Sequence, residues 1–294
     1  MTIQWFPGHM AKTRKLIQEN LKGIDVVVEI LDARIPLSSR NPLIDDLVKG
    51  KDRLVVLNKA DLADDKKTRE WIEYFDSQED TKAVQINALK DSKNIKKIIK
   101  DNIEILTKEK REKKLKKGIK SFAVRIMIVG IPNAGKSTFI NSLIGKQSAR
   151  VGNKPGVTRG KQWVKLDNEI EIMDTPGILW PKFEDPEAGL KLALTGAIKD
   201  EVFHFEPSST ALIEYLKNNY PEQLKERYKL SDEELNMEAP DVAQRIGEKR
   251  GCLLKGGAVD LGKTASIIIT EFRKGFLGRV TLESPGEEKN LEQN

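Results

Sequence analysis

The sequence predicts an α/β fold with a mostly parallel sheet, followed by a smaller all-α C-terminal domain. Three observations carry this. Short β-rich runs alternate with helical stretches as far as Met173, the pattern of a parallel sheet covered on both faces. A glycine-rich loop, Gly130–Ser137, joins one such run to a helical stretch. After Pro181 the β-branched runs give way to helical patterns.

The elements follow in order. Val26–Leu31, ending at Asp32, is the first strand candidate, and Arg53–Leu57, Ala83–Ile86 and Phe122–Val129 are the next three. Gln162–Leu166 and Glu169–Met173 flank Asp167-Asn168 and read as a hairpin. Arg40–Lys49, Lys66–Asp76 and Lys93–Leu106 read as helices; in the last, Ile95, Ile98, Ile99, Ile103 and Leu106 share a face. Lys108–Lys120 carries eight basic and two acidic residues. It reads as a solvated linker or helix extension joining two parts of one sheet. Later helices are expected at Pro186–Ala197, Ser208–Lys217, Pro221–Leu230 and from Ser231 onward. Another starts at Pro240-Asp241, with Val242, Ile246 and Leu253 inward. Asp260–Phe276 aligns Leu261, Thr264, Ala265, Ile268, Ile269 and Phe272. Glu283–Asn294 is polar and expected to fray. The expected division is 1–178 for the sheet domain (with 108–120 as its join), 179–284 for the helical domain and 285–294 for a disordered tail.

With 294 residues, 38% hydrophobic and 33% charged, the chain suits a globular protein of about two domains. No run approaches the roughly 18 apolar residues of a membrane span. Met1–Lys15 lacks the apolar core of a signal peptide. A cytoplasmic protein with no membrane partner is therefore expected, and nothing resembling a coiled coil or apolar seam argues against a monomer. The single cysteine, Cys252, excludes an internal disulfide and a cysteine-cluster metal site. The net charge of +6 permits a polyanionic partner. Between Asp241 and Val280 eight basic residues stand against four acids, with Gly251, Gly256, Gly257 and Gly262 among them. That segment is the modest candidate for RNA contact.

Gly130-Ile131-Pro132-Asn133-Ala134-Gly135-Lys136-Ser137 fits G-x-x-x-x-G-K-[ST] between a strand and a helix, the context of a phosphate-binding loop. Asn133, Ala134, Gly135, Lys136, Ser137 and Thr138 form the phosphate side. Backbone N–H groups and the helix N-terminus face the phosphates, Lys136 bridges the β- and γ-phosphates in catalysis, and Ser137 ligates Mg²⁺. Asp174-Thr175-Pro176-Gly177 ends a strand; Asp174 is expected on Mg²⁺ and the Gly177 N–H on the γ-phosphate. Thr158 lies between these motifs and is the candidate switch threonine on Mg²⁺. Asn58-Lys59-Ala60-Asp61 follows a strand. Asp61 accepts from the N1–H and N2–H₂ of guanine, which adenine does not offer in that arrangement. Lys59 is expected against the base, and Asn58 ties its loop to the phosphate loop. Asn87-Ala88 supplies the last element, with the Ala88 N–H on guanine O6; serine is the familiar residue where Asn87 stands.

The order of these motifs is unusual. Ordinary small GTPases run phosphate loop, switch threonine, D-x-x-G, N-K-x-D and S-A. Here Asn58–Asp61 and Ala88 come before Gly130–Ser137, Thr158 and Asp174–Gly177. The fold class thus sharpens to a P-loop GTPase sheet in circularly permuted order, cut after D-x-x-G and joined through 108–120. The chain leaving Gly177 then enters the helical region through Ile178-Leu179-Trp180-Pro181, an expected mechanical link from γ-phosphate to helices.

Together with Trp5-Phe6-Pro7-Gly8-His9-Met10 and Asp32-Ala33-Arg34-Ile35-Pro36, these motifs closely resemble the circularly permuted YlqF-type GTPases over nearly the whole chain. The resemblance implies GTP binding and hydrolysis to GDP and phosphate, action on the immature large (50S) ribosomal subunit during late assembly, and rRNA and ribosomal proteins as partners. Alternatively, GTP gates an rRNA-binding assembly factor in which hydrolysis is incidental. Ile178 stands where many GTPases place a water-orienting glutamine. The resemblance assigns the missing catalytic help to His9. Asn133 resembles the asparagine of potassium-stimulated GTPases, which implies K⁺ beside Mg²⁺.

Overall fold

Val26–Asp32 (β1) and Asp52–Asn58 (β2) are buried at every position, as strands covered on both faces require. Thr81–Ile86 (β3) alternates in burial and lies at the sheet edge. The computed structural model describes residues 17–91, 94–119, 122–145, 162–174, 185–198, 200 and 204–286. With Val124–Gly130 (β4), Gln162–Lys165 (β5) and Ile170–Asp174 (β6), the strands form one sheet in the order β3-β2-β1-β4-β6-β5. All neighbours pair in parallel except β5 and β6, the expected hairpin. Asp167 Oδ1 closes that hairpin by accepting from the Glu169 and Ile170 N–H groups.

Helices cover the sheet. Pro42–Val48 (α1) follows β1. Asp65–Asp76 (α2) starts where Asp64 accepts from the Lys66 and Lys67 N–H groups, and buries Trp71 and Phe75. Ile95–Lys116 (α3) buries Ile95, Ile99, Ile103 and Thr107, one per turn. It continues well past Leu106. Lys110 reaches Asp52 at 2.7 Å, and Lys113, Lys114 and Lys116 occupy the last turn, where cations suit the helix dipole. The join between the two parts of the sheet is therefore helical to Lys116 rather than an open linker. Lys136–Ile144 (α4) follows β4.

Beyond the sheet the described elements are helical: Pro186–Leu194 (α5), Phe205–Asn219 (α6), Pro221–Tyr228 (α7), Asp232–Leu235 (α8), Ala239–Lys249 (α9) and Leu261–Lys274 (α10). One apolar cluster runs from Val28 and Ile30 of β1 through Leu192 of α5 to Ile213 of α6 and Ile268 of α10. Glu271 of α10 takes both Arg227 of α7 (2.6 and 2.9 Å) and Arg250 after α9.

Three expectations at this end need correction. Leu253 is 52% exposed: α9 stops at Lys249, Gly251 turns the chain at φ +67°, and helical spacing no longer applies. Leu261, the first residue of α10, is also exposed. Glu283 does not fray. It is 1% exposed, because its carboxylate accepts from the Leu37 and Ser38 N–H groups and the Ser38 hydroxyl. The chain before it, from Val280 to Leu282, bonds to Leu62 O, the Asp64 N–H and Arg34 O.

Candidate active site

Strand register gathers the predicted motifs at one rim. Asp32 lies opposite Asn58, Ile30 opposite Gly130, Asn58 opposite Ile86 and Ile128 opposite Asp174. The carboxyl ends of the parallel strands thus share an edge, where open α/β sheets bind ligands. At Gly130 a Cβ would stand 2.6 Å from Ile30 O. Gly135, at φ +93°, packs so closely on the Asn58 side-chain amide that any Cβ would collide with it. The phosphate loop can therefore close onto the β2 loop only with glycine at that position. Gly135 also caps α4, and the first bond back along the helix runs from the Phe139 N–H to Gly135 O at 2.8 Å. The N–H groups of Lys136, Ser137 and Thr138 therefore belong to a helix first turn, an anion-binding arrangement.

Asn58 is the hub of the guanine side. Its Nδ2 donates to Ala134 O at 2.8 Å, and its Oδ1 accepts the Ala88 N–H at 3.2 Å. The N–H expected to meet guanine O6 thus points at Asn58 here. Ser142 of α4 donates to Ala88 O at 2.5 Å and ties the same loop to that helix. Asn87 Oδ1 accepts from the Leu89 and Lys90 N–H groups, and its Nδ2 is buried without a hydrogen-bond partner among the described residues. Lys90 stands 3.8 Å from Asp61, whose side chain is 30% exposed. The loops bearing Asn58, Asp61, Asn87, Ala88, Ala134 and Gly135 are thereby brought together.

Lys59 adopts a left-handed backbone and donates to Asn133 O at 2.7 Å and Asp32 Oδ2 at 2.8 Å. Arg34 Nε and Nη2 grip the same carboxylate at 2.9 and 2.7 Å. Burial would raise the Asp32 carboxyl, but the Arg34 and Lys59 cations overcome it and hold the group well below the usual carboxylate range. Asn133 turns its Nδ2 to Gly196 O, past the end of α5, at 2.7 Å. This contact joins the phosphate loop to the C-terminal helices.

Asp174 ends β6, with only its backbone described; His9, Thr158, Gly177 and the Ile178–Pro181 link lie outside the described residues. Among the described residues no cluster of His, Cys, Asp and Glu suits a metal, and no helix is long and apolar enough to cross a membrane.

Comparison with known proteins agrees with this geometry. A family model described as "50S ribosome-binding GTPase" matches residues 125–236. The chain is 50% identical to ribosome biogenesis GTPase A of Bacillus cereus, covering 98% of this chain and 95% of that one. The chain belongs to the ribosome biogenesis GTPase A family. The Priestia megaterium member is 48% identical, with 98% of each chain covered. A solved structure titled as GDP-bound TM YlqF is similar with a TM-score of 0.61 at 28% identity, over 92% of this chain and 100% of that one. The fold is thus that of a circularly permuted GTPase, and the activity that of a GTPase.

Sequence reasoning missed the roles of Asp32, Ser142 and Gly196 in this site. Asp32 had a visible signal, a carboxylate ending a strand otherwise made for burial. Ser142 sits on a helix face with no local mark. Gly196 acts through a carbonyl, which no side-chain pattern reveals.

Proposed function

We propose that this chain is a GTPase of large-subunit assembly, which binds the immature 50S particle and hydrolyses GTP to GDP and phosphate when the particle stimulates it. The supporting observation is the Asn58 hub, which ties a guanine-type loop to a phosphate-type loop within hydrogen-bond distance. Chemistry divides along that hub. Asp61 reads guanine, with Lys59 beside the base; the N–H groups from Asn133 to Thr138 receive phosphate and Lys136 bridges the β- and γ-phosphates. Ser137, Thr158 and Asp174 offer the hard oxygen donors that Mg²⁺ takes, and the pairing of Asp174 with Ile128 brings its backbone beside the strand that leads into the phosphate loop. When bound, Mg²⁺ neutralises charge on the β- and γ-phosphates. Asn133 Oδ1 is the K⁺ ligand in this reading, its amide oriented by the bond to Gly196 O. The Gly177 N–H senses the γ-phosphate. Ile178 cannot aim a water, so His9 is assigned that task.

The basic C-terminal helices, within 179–284, meet rRNA, and cytoplasmic location follows from the ribosomal partner. The decisive experiment is single-turnover GTP hydrolysis with purified large or small subunits, in K⁺ and in Na⁺. Stimulation by large subunits alone, greater in K⁺, is expected, and His9→Ala should lose it. Tight, GTP-dependent binding to large subunits without faster hydrolysis would instead make this an assembly factor gated by GTP. Equal rates in K⁺ and Na⁺ would remove the potassium role from Asn133.

A further inference from the structure

We propose that Asp32 is a positioning residue for guanine binding: it fixes the ammonium of Lys59 so that the lysine stem lies beside the base. The inference rests on the reading of Asn58–Asp61 as the guanine-binding loop. Lys59 holds φ 60° and ψ 33°, a left-handed conformation that a residue other than glycine keeps only when its surroundings enforce it. Two acceptors enforce it here, Asn133 O and Asp32 Oδ2, at 2.7 and 2.8 Å from the ammonium. The side chain is thereby stretched from the end of β2 to the phosphate loop on one side and β1 on the other. Asp32 pairs in register with Asn58, the residue before Lys59. β1 therefore delivers the carboxylate to the lysine directly from the sheet, the most rigid support available.

The carboxylate is also oriented. It offers about four acceptor positions, and four donors take them: the Arg34 N–H and Nε on Oδ1, Arg34 Nη2 and Lys59 Nζ on Oδ2. Arg34 is itself enclosed, with its guanidinium 5.3 Å from the Phe272 ring centroid and its carbonyl accepting the Leu282 N–H at 2.8 Å. An ion pair made only to fasten the turn after β1 would need Arg34 and no more. Lys59 is the added member. Its side chain keeps 24% of its surface open although its ammonium is held, which suits a lysine that presents its stem to a flat ring. Asp32→Asn removes the charge and replaces one acceptor oxygen by an NH₂ group, which cannot accept, while keeping the volume.

The test is a double-mutant cycle on fluorescent GDP and GTP-analogue affinity, using the full chain: wild type, Asp32→Asn, Lys59→Met and the double variant. Asp32→Asn should weaken both nucleotides equally, about tenfold, the loss of roughly one charge-assisted hydrogen bond. The double variant should bind no worse than Lys59→Met, because Asp32 acts through that lysine. Additive losses, or an Asp32→Asn protein with wild-type affinity, would overturn the proposal. A loss confined to the GTP analogue would overturn it too, because guanine is common to both nucleotides. If Asp32→Asn does not fold, Asp32→Glu is compared with and without Lys59→Met; a several-fold loss should appear only while Lys59 is present, and a loss independent of Lys59 counts against the proposal. If Lys59→Met itself binds as wild type does, the guanine-loop reading fails rather than the role of Asp32 alone.

Discussion

Asp32 and Glu283 are buried carboxylates served by the same stretch of chain, residues 34–38, yet that stretch holds them in opposite ways. Asp32 meets two cations at contact distance, Arg34 at 2.7 Å and Lys59 at 2.8 Å. Glu283 meets neutral donors, the Leu37 N–H at 2.7 Å and the Ser38 N–H and hydroxyl, while the cation paired with it among the described residues, Lys191, stands 3.7 Å away. Burial pushes both carboxyls up. At Asp32 the cations reverse the shift. At Glu283 burial prevails over Lys191 and Ser38, and the carboxyl stays above its ordinary value. At Glu283 the neutral donors and the more distant lysine do not offset the burial of the charge. Asp32 is thus an ionised strut at the guanine side, whereas Glu283 is a proton-sensitive fastener for the segment that returns from the helices to the sheet.

The contrast is most directly broken by truncation. Asp32→Ala strips buried Arg34 of the carboxylate it grips and leaves Lys59 with the neutral Asn133 O, and should cost about 3–5 kcal/mol in urea unfolding. A loss below about 1 kcal/mol would show that the two cations find other partners. Glu283→Ala removes an acceptor from neutral donors and should cost less, about 1–3 kcal/mol. Amide exchange at Val280 and Leu282 should quicken with it; unchanged exchange there would mean that the fastener is elsewhere.

Titration sharpens the comparison, with opposite signs. The Asp32 carboxyl is lower folded than unfolded, so its stabilisation is present above its ordinary value of 3.8 and is lost as pH falls below it. Glu283 is higher folded than unfolded. Its contribution is full below 4.5 and is lost as pH rises through the folded value. Unfolding midpoints between pH 3 and 7 should therefore show Glu283→Gln gaining on wild type as pH rises, and the Asp32→Asn deficit shrinking only at the acid end. Parallel curves for the two variants would erase the distinction. The smallest effect belongs to the exposed Leu253, where Leu253→Ser should change stability by no more than about 0.5 kcal/mol.

The sheet was legible because its signals are local. Val26–Asp32 is nearly unbroken in apolar residues, the hairpin turns on Asp167, and Gly130 and Gly135 mark two places where a Cβ would collide. The rim motifs were legible for the same reason, as short strings fixed at strand ends. Connections made across the chain were not. Glu283 looks like tail because its neighbours are polar, and its partners lie some 245 residues away in sequence. Leu253 looked buried because helical spacing was extended through Gly251, where the chain turns instead. Asn133 carried a readable identity, but its bond to Gly196 O required the fold.

The strand order also bears on how the chain is made. β1 is central, with β2 on one side and β4 on the other. Synthesis delivers β2 and β3 soon after β1, but β4 only after α3 is complete. At ordinary translation rates, producing residues 33–130 takes on the order of 5–20 s. Through that interval the β4-facing edge of β1, from Val26 to Ile30, has no strand to pair with. An unpaired apolar edge invites other chains. The permuted order thus leaves a central strand with an open edge through the middle of translation.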